Sequence, residues 1–214
     1  MDLNDYFDPV SIEKPSQILL QEELTIGRNI AIHTPNNPIG SVEGYHLALL
    51  GIPEDRNSPN KGSAGAPDRI RGKFYPLFKF PAKIRFIDLG NLKSGDSPAD
   101  TYFGVRDVLF KLMNNNIIPI ILGGSQDNTY GLYLAFEKMK KPVNLVTVDP
   151  RIDLSGFRDE FDSQTYLRKI LIKKERTFVN YSNIGHQVYF TDQEDLEFLK
   201  SSFFELYRLG MVRT

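Results

Sequence analysis

Four short apolar runs organise the middle of the chain. They lie at residues 47–52, 84–89, 117–122 and 143–148. Each run has the length of a strand that is buried on both faces, and each is separated from the next by enough chain for a crossover helix. The pattern predicts an α/β protein with a mainly parallel sheet.

The segment between the second and third runs has the features of a helix. Ser97 can accept hydrogen bonds from the free N–H groups of the first turn, and Pro98 follows at a position where a missing N–H has no consequence. The helix is expected to end at residues 114–116. Its apolar positions recur at helical spacing: Tyr102, Val105, Val108, Leu109 and Leu112.

Two further helices and one weaker strand are predicted. We expect Asp127 to cap a helix with Tyr130, Tyr133, Leu134 and Met139 on its apolar side. Thr191 and Glu194 have the spacing of a capping box, and the helix that follows is expected to end at Gly210. Its predicted apolar positions are Leu196, Leu199, Phe203 and Leu206. Residues 176–181 give a weaker strand prediction.

The first part of the chain lacks this regularity. Residues 1–44 are rich in turn-forming residues such as Pro9, Pro15, Pro35, Pro38 and Gly40. We therefore expect an irregular N-terminal arm over 1–44 and one α/β domain over 45–214, which is long enough to bury a large core.

Composition excludes several classes of function. The formal net charge of −1 gives no basic surface that could follow a phosphate backbone, so nucleic acid is not an expected partner. The absence of cysteine excludes a disulfide framework, a thiolate zinc site and a cysteine nucleophile. The sequence shows no signal peptide and no run of about 18 apolar residues, so we expect a cytoplasmic protein without a membrane span.

The candidate chemistry begins where the fourth apolar run ends. Asp149, Arg151 and Asp153 alternate along an extended segment and therefore point to the same side, at the edge where open parallel sheets bind ligands. Two carboxylates around a central histidine would suit manganese-type ions. Arg151 occupies the centre instead, and a guanidinium has no lone pair and repels a cation. Pairing of Arg151 with Asp149 and Asp153 is expected.

A second candidate is the turn after the third run. Gly123 and Gly124, with Ser125 and the backbone N–H groups, could bind an anion at the start of a helix. The favoured interpretation is a tight strand-to-helix turn that needs small residues to avoid clashes. Arg151 likewise could recognise a carboxylate ligand or belong to a structural salt cluster, for which Gln126 could supply its amide.

The two motifs together resemble those of the ureohydrolases, which are arginase, agmatinase and formimidoylglutamase. The family carries a Gly-Gly-Asp-His-Ser turn and an Asp-Ala-His-x-Asp strand end that hold two manganese ions. Further runs of this chain resemble the family at residues 51–55, 62–67, 70–71 and 87–91. The resemblance covers roughly residues 45–155 and implies an arginase-like, three-layer α/β/α fold.

The departures from the family concern the metal ligands. Ser125 and Gln126 stand where the turn has Asp-His, and Arg151 stands where the strand end has His, so Asp149 and Asp153 are the ligands retained. The family's later Asp-x-Asp motif has no counterpart here. Its catalytic histidine has none either, since no histidine lies between Asp153 and His186. No bound metal is therefore expected, and Asp149 and Asp153 would be its ligands if there were one.

Three functions stay open. The first is a ureohydrolase-like protein that has lost both metals and acts as a scaffold or interaction protein. The second is an active hydrolase of a guanidino or linear amidine carbon–nitrogen bond with manganese as cofactor, whose ligands are either rearranged or supplied by a C-terminal part beyond Thr214. The third is a small-molecule or anion binder that uses Gly123, Gly124, Ser125 and Arg151.

The resemblance also bears on assembly. The family's sheet has eight strands with the last two in its middle, so this chain would leave central strands out or close its sheet differently. Exposed strand edges would then favour association with itself or with a protein partner.

Overall fold

The strands form two separate sheets in the computed structural model, which describes residues 2–11, 24–79, 83–154, 161–173 and 177–213. The first sheet has the order β1-β4-β3-β5, and β2 also pairs with β4. The second has the order β6-β7-β8. All pairings are parallel except that between β1 and β4. The strands are β1 (Phe7–Asp8), β2 (Ala31–Ile32), β3 (Leu47–Ile52), β4 (Phe86–Leu92), β5 (Ile118–Gly123), β6 (Val143–Val148), β7 (Phe178–His186) and β8 (Glu205–Arg208).

Helices connect the strands and cover the sheets. They are α1 (Ile26–Asn29), α2 (Ala66–Phe74), α3 (Pro98–Asn114), α4 (Thr129–Met139), α5 (Tyr166–Leu171), α6 (Gln193–Ser201) and α7 (Leu209–Val212). Short 3₁₀ turns lie at Leu3–Asp5, Ser63–Gly65, Gln126–Asn128 and Val188–Phe190. In the described ranges, every helix is too short or too polar to cross a membrane.

The predicted parallel α/β architecture is confirmed. β3 and β6 have the predicted bounds, β5 is shifted by one residue, and β4 begins two residues later than its apolar run. β7 is the central strand of its sheet and continues to His186, beyond the predicted end at residue 181. The prediction was too short because Asn180, Ser182 and Asn183 interrupt the apolar pattern of the strand.

The predicted start of α3 is also confirmed. The Ser97 hydroxyl accepts from the Asp100 N–H, while the Asp100 carboxylate accepts from the Ser97 N–H at 2.9 Å. This reciprocal pair satisfies two N–H groups that have no partner within the helix. Tyr102 and the four apolar positions that follow it are buried, as predicted.

The other two predicted caps are wrong. Asp127 lies inside the 3₁₀ turn and α4 begins two residues later, so its carboxylate does not cap the helix. In α6 the cap is Asp192, which accepts from the Glu194 N–H at 2.8 Å, and the Thr191 hydroxyl bonds to the Gln187 carbonyl.

The predicted end of α6 at Gly210 is wrong as well. The helix ends at Ser201, Phe203 adopts a positive φ of 60°, and β8 and α7 follow. Phe203 and Leu206 therefore do not lie on the helix. Apolar residues continue at intervals of three to four positions beyond the end of the helix, so periodicity alone does not reveal where the helix ends.

Two buried apolar clusters stabilise the two sheets. Cluster 1 lies between the first sheet and α3 and includes Leu50, Leu89, Val105, Leu109 and Leu112. Cluster 2 packs the second sheet against α4, α5 and α6 and includes Tyr133, Leu167, Tyr181 and Leu199. α3 and α4 pack against each other and contribute residues to both clusters, so they connect the two halves.

The N-terminal residues are more ordered than an irregular arm. β1 and β2 both pair with β4, and Leu3, Phe7 and Ile39 belong to cluster 1. This described part of residues 1–44 thus adds to the first sheet and its core. Pro15 lies outside the described residues.

A buried ion pair joins α2 to β4. The side chains of Arg71 and Asp88 are fully buried, and Arg71 Nε donates to Asp88 at 2.8 Å. Asp88 also accepts from the Tyr75 hydroxyl at 2.7 Å and from the Gly90 N–H at 2.9 Å. Arg71 additionally donates to the Gly90 carbonyl and to the Asn91 side chain. Each charged group therefore has several partners, as burial of an ion pair requires.

Candidate functional site

The candidate residues lie at the carboxyl ends of the parallel strands. The segment after β3 supplies Glu54, the turn after β5 supplies Ser125 and Gln126, and the segment after β6 supplies Asp149. In open parallel sheets this edge is where loops from several strands converge and ligands bind. Gln126 and Asp149 are in direct contact, so the two sheets meet at this edge.

Ser125 is buried against the loop that follows β3. Its N–H and its hydroxyl both donate to the Glu54 carbonyl, at 2.9 and 3.1 Å. Asn128 Nδ2 donates to the same oxygen at 3.2 Å. These groups hold the turn in place and are not directed towards solvent. The expected anion site therefore lacks the two donors of Ser125.

The two glycines of the turn differ in their surroundings. A Cβ on Gly124 would overlap the backbone of Glu54, whereas a Cβ on Gly123 would meet nothing within 4 Å. The close approach of the Glu54 backbone therefore explains why position 124 needs a glycine, and no such contact requires one at position 123.

Replacing Gly124 by alanine is therefore expected to lower the free energy of unfolding by about 1–3 kcal/mol, because the turn must move away from Glu54. Gly123→Ala is the matched control and should change it by less than about 0.5 kcal/mol. Urea denaturation of both variants measures the difference. Equal effects of the two substitutions would contradict the close approach.

The Glu54 carboxylate is held by two neighbours. It accepts from Arg56 at 2.5 Å and from the Thr101 hydroxyl at 3.0 Å. Burial acts to raise the pKa of Glu54, but these hydrogen bonds outweigh it and the pKa lies below its usual value. Arg56 also donates to the carbonyls of Gly95 and Asp96. Glu54 is therefore a charged anchor between the loops that follow β3 and β4.

Asp127 belongs to a buried polar chain that the sequence did not reveal. The Tyr102 hydroxyl donates to its carboxylate, and Asn57 Nδ2 donates to that hydroxyl at 2.9 Å. Burial, followed by Asp127, raises the pKa of Tyr102, so this tyrosine stays neutral. The second carboxylate oxygen of Asp127 has no partner within the described part of the chain. Tyr102 had been predicted only as an apolar helix position.

Asp149 is bonded through both carboxylate oxygens. Gln126 Nε2 donates to Oδ2 at 2.5 Å, and the Arg151 N–H donates to Oδ1 at 2.8 Å. The predicted contribution of the Gln126 amide is confirmed. The Gln126 amide joins the loop after β5 to the loop after β6, whereas the Arg151 N–H belongs to the same loop as Asp149.

Arg151 does not occupy the predicted place. Among the described residues its guanidinium forms no ion pair with Asp149 or Asp153, and the side chain is exposed. Its Cζ lies 5.4 Å from the ring centre of Phe190. The expected salt cluster is therefore wrong. Gln126 and the backbone already satisfy Asp149, so the guanidinium can remain hydrated while it stacks on an aromatic ring.

Asp153 is the most perturbed carboxyl of the site. Only 5% of its surface is exposed. Burial, followed by repulsion from Asp149, raises its pKa to about 7, although Arg151 acts in the opposite direction. Removal of a carboxylate from water without a compensating cation favours the neutral acid. Asp153 therefore keeps its proton to a much higher pH than an exposed aspartate does.

Two side chains of β7 complete the region. Asn183 Nδ2 donates to the Thr147 hydroxyl at 3.0 Å and to the carbonyls of Asp149 and Arg151, both at 3.3 Å. This holds the 149–151 segment against the strand, a role that no sequence motif indicated. His186 is buried at the end of β7. Burial, followed by the charges of Arg208 and Lys200, lowers its pKa.

The donor set does not fit a pair of divalent cations. Within the described ranges, no three His, Cys, Asp or Glu side chains come together in a group that could hold a metal ion. Asp149 accepts from an amide N–H and a backbone N–H, which occupy the lone pairs that a cation would need. Asp153 is buried close enough to the Arg151 guanidinium for that charge to lower its pKa. What the arrangement does provide is a polar link between two loops, beside a carboxyl that titrates near neutral pH.

Comparisons with known proteins agree with the resemblance. A model of the arginase family matches residues 45–211. The formimidoylglutamase of Streptococcus pyogenes serotype M5 (strain Manfredo) is 29% identical in an alignment of 146 residues, and the match covers 56% of this chain and 43% of that protein. The chain thus spans less than half the length of such relatives.

Two solved structures share the fold. The formimidoylglutamase from Bacillus subtilis has a TM-score of 0.77 at 17% identity, over 90% of this chain and 62% of the other. The Trypanosoma cruzi formiminoglutamase with Mn²⁺ has a TM-score of 0.69 at 16% identity, over 79% of this chain and 62% of the other. Both are longer than this chain, so a substantial part of each has no counterpart in it.

Proposed function

Because the chain belongs to the arginase family, whose model matches residues 45–211, we propose that it is a formimidoylglutamase-like member without hydrolase activity that acts as a scaffold or interaction protein. The positions Ser125, Gln126, Asp149, Arg151 and Asp153 are then the remnant of a metal site. Hydrolysis with two metals requires cations that activate a water molecule, and the loss of their ligands removes that step.

One contact carries this proposal, which is the hydrogen bond from Gln126 Nε2 to Asp149 Oδ2. The resemblance aligns both residues with manganese ligands of the family. Here an amide donor takes the place of a shared cation and keeps the two loops together. The site is therefore complete as a structural link without an ion. Arg151 supports the same proposal, since its charge beside the carboxylates opposes cation binding.

We expect the chain to retain no manganese above trace level after loading and dialysis, and its melting temperature to be the same with and without the ion. The physical reason is the donor set described above, which offers N–H groups where a cation needs lone pairs. Elemental analysis and a thermal melt measure the two quantities. Bound manganese together with a raised melting temperature would refute the proposal and favour an active hydrolase of a linear amidine or guanidino carbon–nitrogen bond.

A gain-of-binding variant makes this test sharper. Gln126→His with Arg151→His places two imidazoles beside the two retained carboxylates, and imidazole and carboxylate suit manganese. We expect weak manganese binding by the double variant in electron paramagnetic resonance titrations. Gln126→Ala with Arg151→Ala is the matched control and should bind none. If the histidine variant behaves like the control, the geometric relation of these positions to a metal site is wrong.

One observation favours the anion-binding alternative. The guanidinium of Arg151 is exposed and stacked on Phe190, with no ion pair to Asp149 or Asp153. It could therefore receive a carboxylate or phosphate in its planar fork. A rise in melting temperature with phosphate or glutamate that Arg151→Gln abolishes would support a binder.

A further inference from the structure

A cavity of about 330 Å³ lies beside the carboxyl ends of β7 and β8. Its lining includes His186 and Gln187 from the end of β7, Arg208 from the end of β8, and Arg213, which follows α7. A volume of this size is at the lower limit of small-molecule sites, so the cavity suits a small ligand. None of these residues belongs to the remnant of a metal site described above.

A β-bulge at Gly185 places two of the lining residues opposite each other. Ile184 of β7 lies opposite Tyr207 of β8, and the pairing resumes after the bulge with His186 opposite Arg208. Gly185 is the extra residue and has a φ of 99°, a conformation that other residues rarely adopt. The bulge therefore brings a histidine and an arginine together at the strand ends.

The imidazole of His186 is buried with one nitrogen unsatisfied. Only 7% of the residue is exposed, and Nδ1 has no hydrogen-bond partner among the described residues. Burial, followed by the charges of Arg208 and Lys200, lowers the pKa of His186, while a hydrogen bond to the Tyr207 backbone acts in the opposite direction. Buried polar groups are nearly always satisfied, so an unsatisfied one beside a cavity points to a missing partner. Among these cations, a bound anion would offset the repulsion.

Both arginines of the cavity are available to a ligand. Arg208 and Arg213 are exposed, and within the described ranges neither forms an ion pair. In that part of the chain no acidic side chain lines the cavity. Glu205, the acidic residue of β8, accepts from the Ser182 hydroxyl at 2.9 Å. Since the whole chain has a formal net charge of −1, this local excess of positive charge is specific to the cavity.

The number of donors favours phosphate over carboxylate as the anion. A carboxylate has two oxygens, and one guanidinium fork satisfies both. Two guanidiniums, the Gln187 amide and the imidazole offer more donors than a carboxylate can use. A phosphate group has further oxygens that accept from several of them at once, and its charge of nearly −2 at pH 7 matches that of two guanidiniums.

We propose that His186, Arg208 and Arg213 form a binding site for the phosphate group of a small phosphorylated molecule, with Gln187 as an additional donor. The site lies at the ends of β7 and β8 and does not use the link between Gln126 and Asp149. It also does not depend on the loss of hydrolase activity. Manganese binding would refute the proposed function and leave this site untouched, whereas the titration below tests the site alone.

Nuclear magnetic resonance of the isotope-labelled protein follows each of the three histidines without any substitution. Sodium chloride at the same ionic strength is the reference, because salt alone screens exposed charges. We expect inorganic phosphate to shift the His186 signal with a Kd on the order of 1 mM or below. The signals of His33 and His46 should stay unchanged.

A pH titration links the anion to the imidazole. Sulfate replaces phosphate here, because it stays doubly charged throughout and only the protein titrates. Saturating sulfate should raise the pKa of His186 by about one unit, which by reciprocity is about tenfold tighter sulfate binding to the protonated imidazole.

Substitutions locate the anion within the cavity. Arg208→Gln and Arg213→Gln should each weaken phosphate binding about tenfold or more, because each removes one fork of donors. Arg85→Gln is the matched control, since it removes the same charge from an exposed arginine at the amino end of β4, and it should leave Kd unchanged. Arg151→Gln should leave Kd unchanged as well. Circular dichroism confirms the fold of each variant.

Four results would overturn the proposal. One is a His186 signal that does not move up to about 20 mM phosphate. An equal loss of binding in Arg85→Gln would show non-specific attraction. Loss of binding in Arg151→Gln together with full binding in Arg208→Gln would place the anion at the loop after β6. Finally, binding of sodium acetate as tight as that of phosphate would assign the cavity to a carboxylate.

Discussion

Replacing Arg71 by alanine is expected to lower the free energy of unfolding by about 3–5 kcal/mol, which is the usual effect of removing one partner of a buried ion pair. Asp88 would remain fully buried with the Tyr75 hydroxyl and the Gly90 N–H as its donors. The Gly90 carbonyl and the Asn91 side chain would each lose a donor too. The substitution therefore leaves a charge and two polar groups without the cation that compensates them.

Urea denaturation followed by circular dichroism measures this effect. Arg69→Ala is the matched control, because Arg69 lies on the exposed side of the same helix, and it should change stability by less than about 0.5 kcal/mol. A loss below about 1 kcal/mol for Arg71→Ala would mean that Asp88 becomes neutral or that water replaces the guanidinium. The expectation that the Arg71–Asp88 ion pair stabilises the packing of α2 on β4 would then be wrong.

Replacing Asp153 by asparagine is expected to stabilise the protein at pH 8 and to leave it unchanged near pH 4. The pKa of Asp153 in the folded protein is about 7, well above the ordinary value of an aspartate. The folded protein therefore binds the proton more tightly than the unfolded chain does. The stability that this carboxyl contributes is present below about pH 4 and is lost as the pH rises through 7. Asparagine cannot ionise, so the variant does not lose this stability as the pH rises.

The expected difference at pH 8 is on the order of 2–4 kcal/mol in favour of Asp153→Asn, from about 1.4 kcal/mol per unit of pKa. Urea titrations of both proteins at several pH values between 4 and 8 give the difference directly. The measurement at pH 4 is the internal control for packing changes caused by the amide. A difference that does not change with pH would show that Asp153 titrates at its ordinary value.

The strands and α3 could be predicted because their signals are local. β3 is a run of six residues without a polar side chain, and four of the six residues of β6 are valine or leucine. Ser97 with Pro98 marks a helix start that depends only on its own backbone groups. The end of α6 could not be predicted, because Phe203 reverses the chain through a positive φ that residues other than glycine rarely adopt. β7 was underestimated, because its buried polar residue Asn183 bonds to Thr147 of β6 and to the Arg151 carbonyl in the loop that follows β6.

The sequence indicated which residues of the site would come together, but not how every side chain would be placed. The contact between Gln126 and Asp149 follows from two motifs at the ends of strands that are consecutive in sequence. The position of Arg151 does not, because a long side chain selects between carboxylates, solvent and an aromatic ring according to which groups are already satisfied. Asn183 and Tyr102 were not recognised because their roles depend on segments that are distant in sequence.

The division of the apolar residues into two clusters has a consequence for how the molecule unfolds. Among the residues that the structure describes, cluster 1 and cluster 2 share no strand, and α3 and α4 are the helices that contribute side chains to both. Outside this helix pair, the Gln126–Asp149 contact and the bond from the Ser163 N–H to the Asn57 carbonyl also connect the halves. Because cooperativity requires that the loss of one part removes the contacts of the other, we expect two partly independent cooperative units. We expect the second half to open while the first stays folded. Asp149 and Asp153 would then separate from Gln126, and the persistence of the candidate site is set by the weaker half.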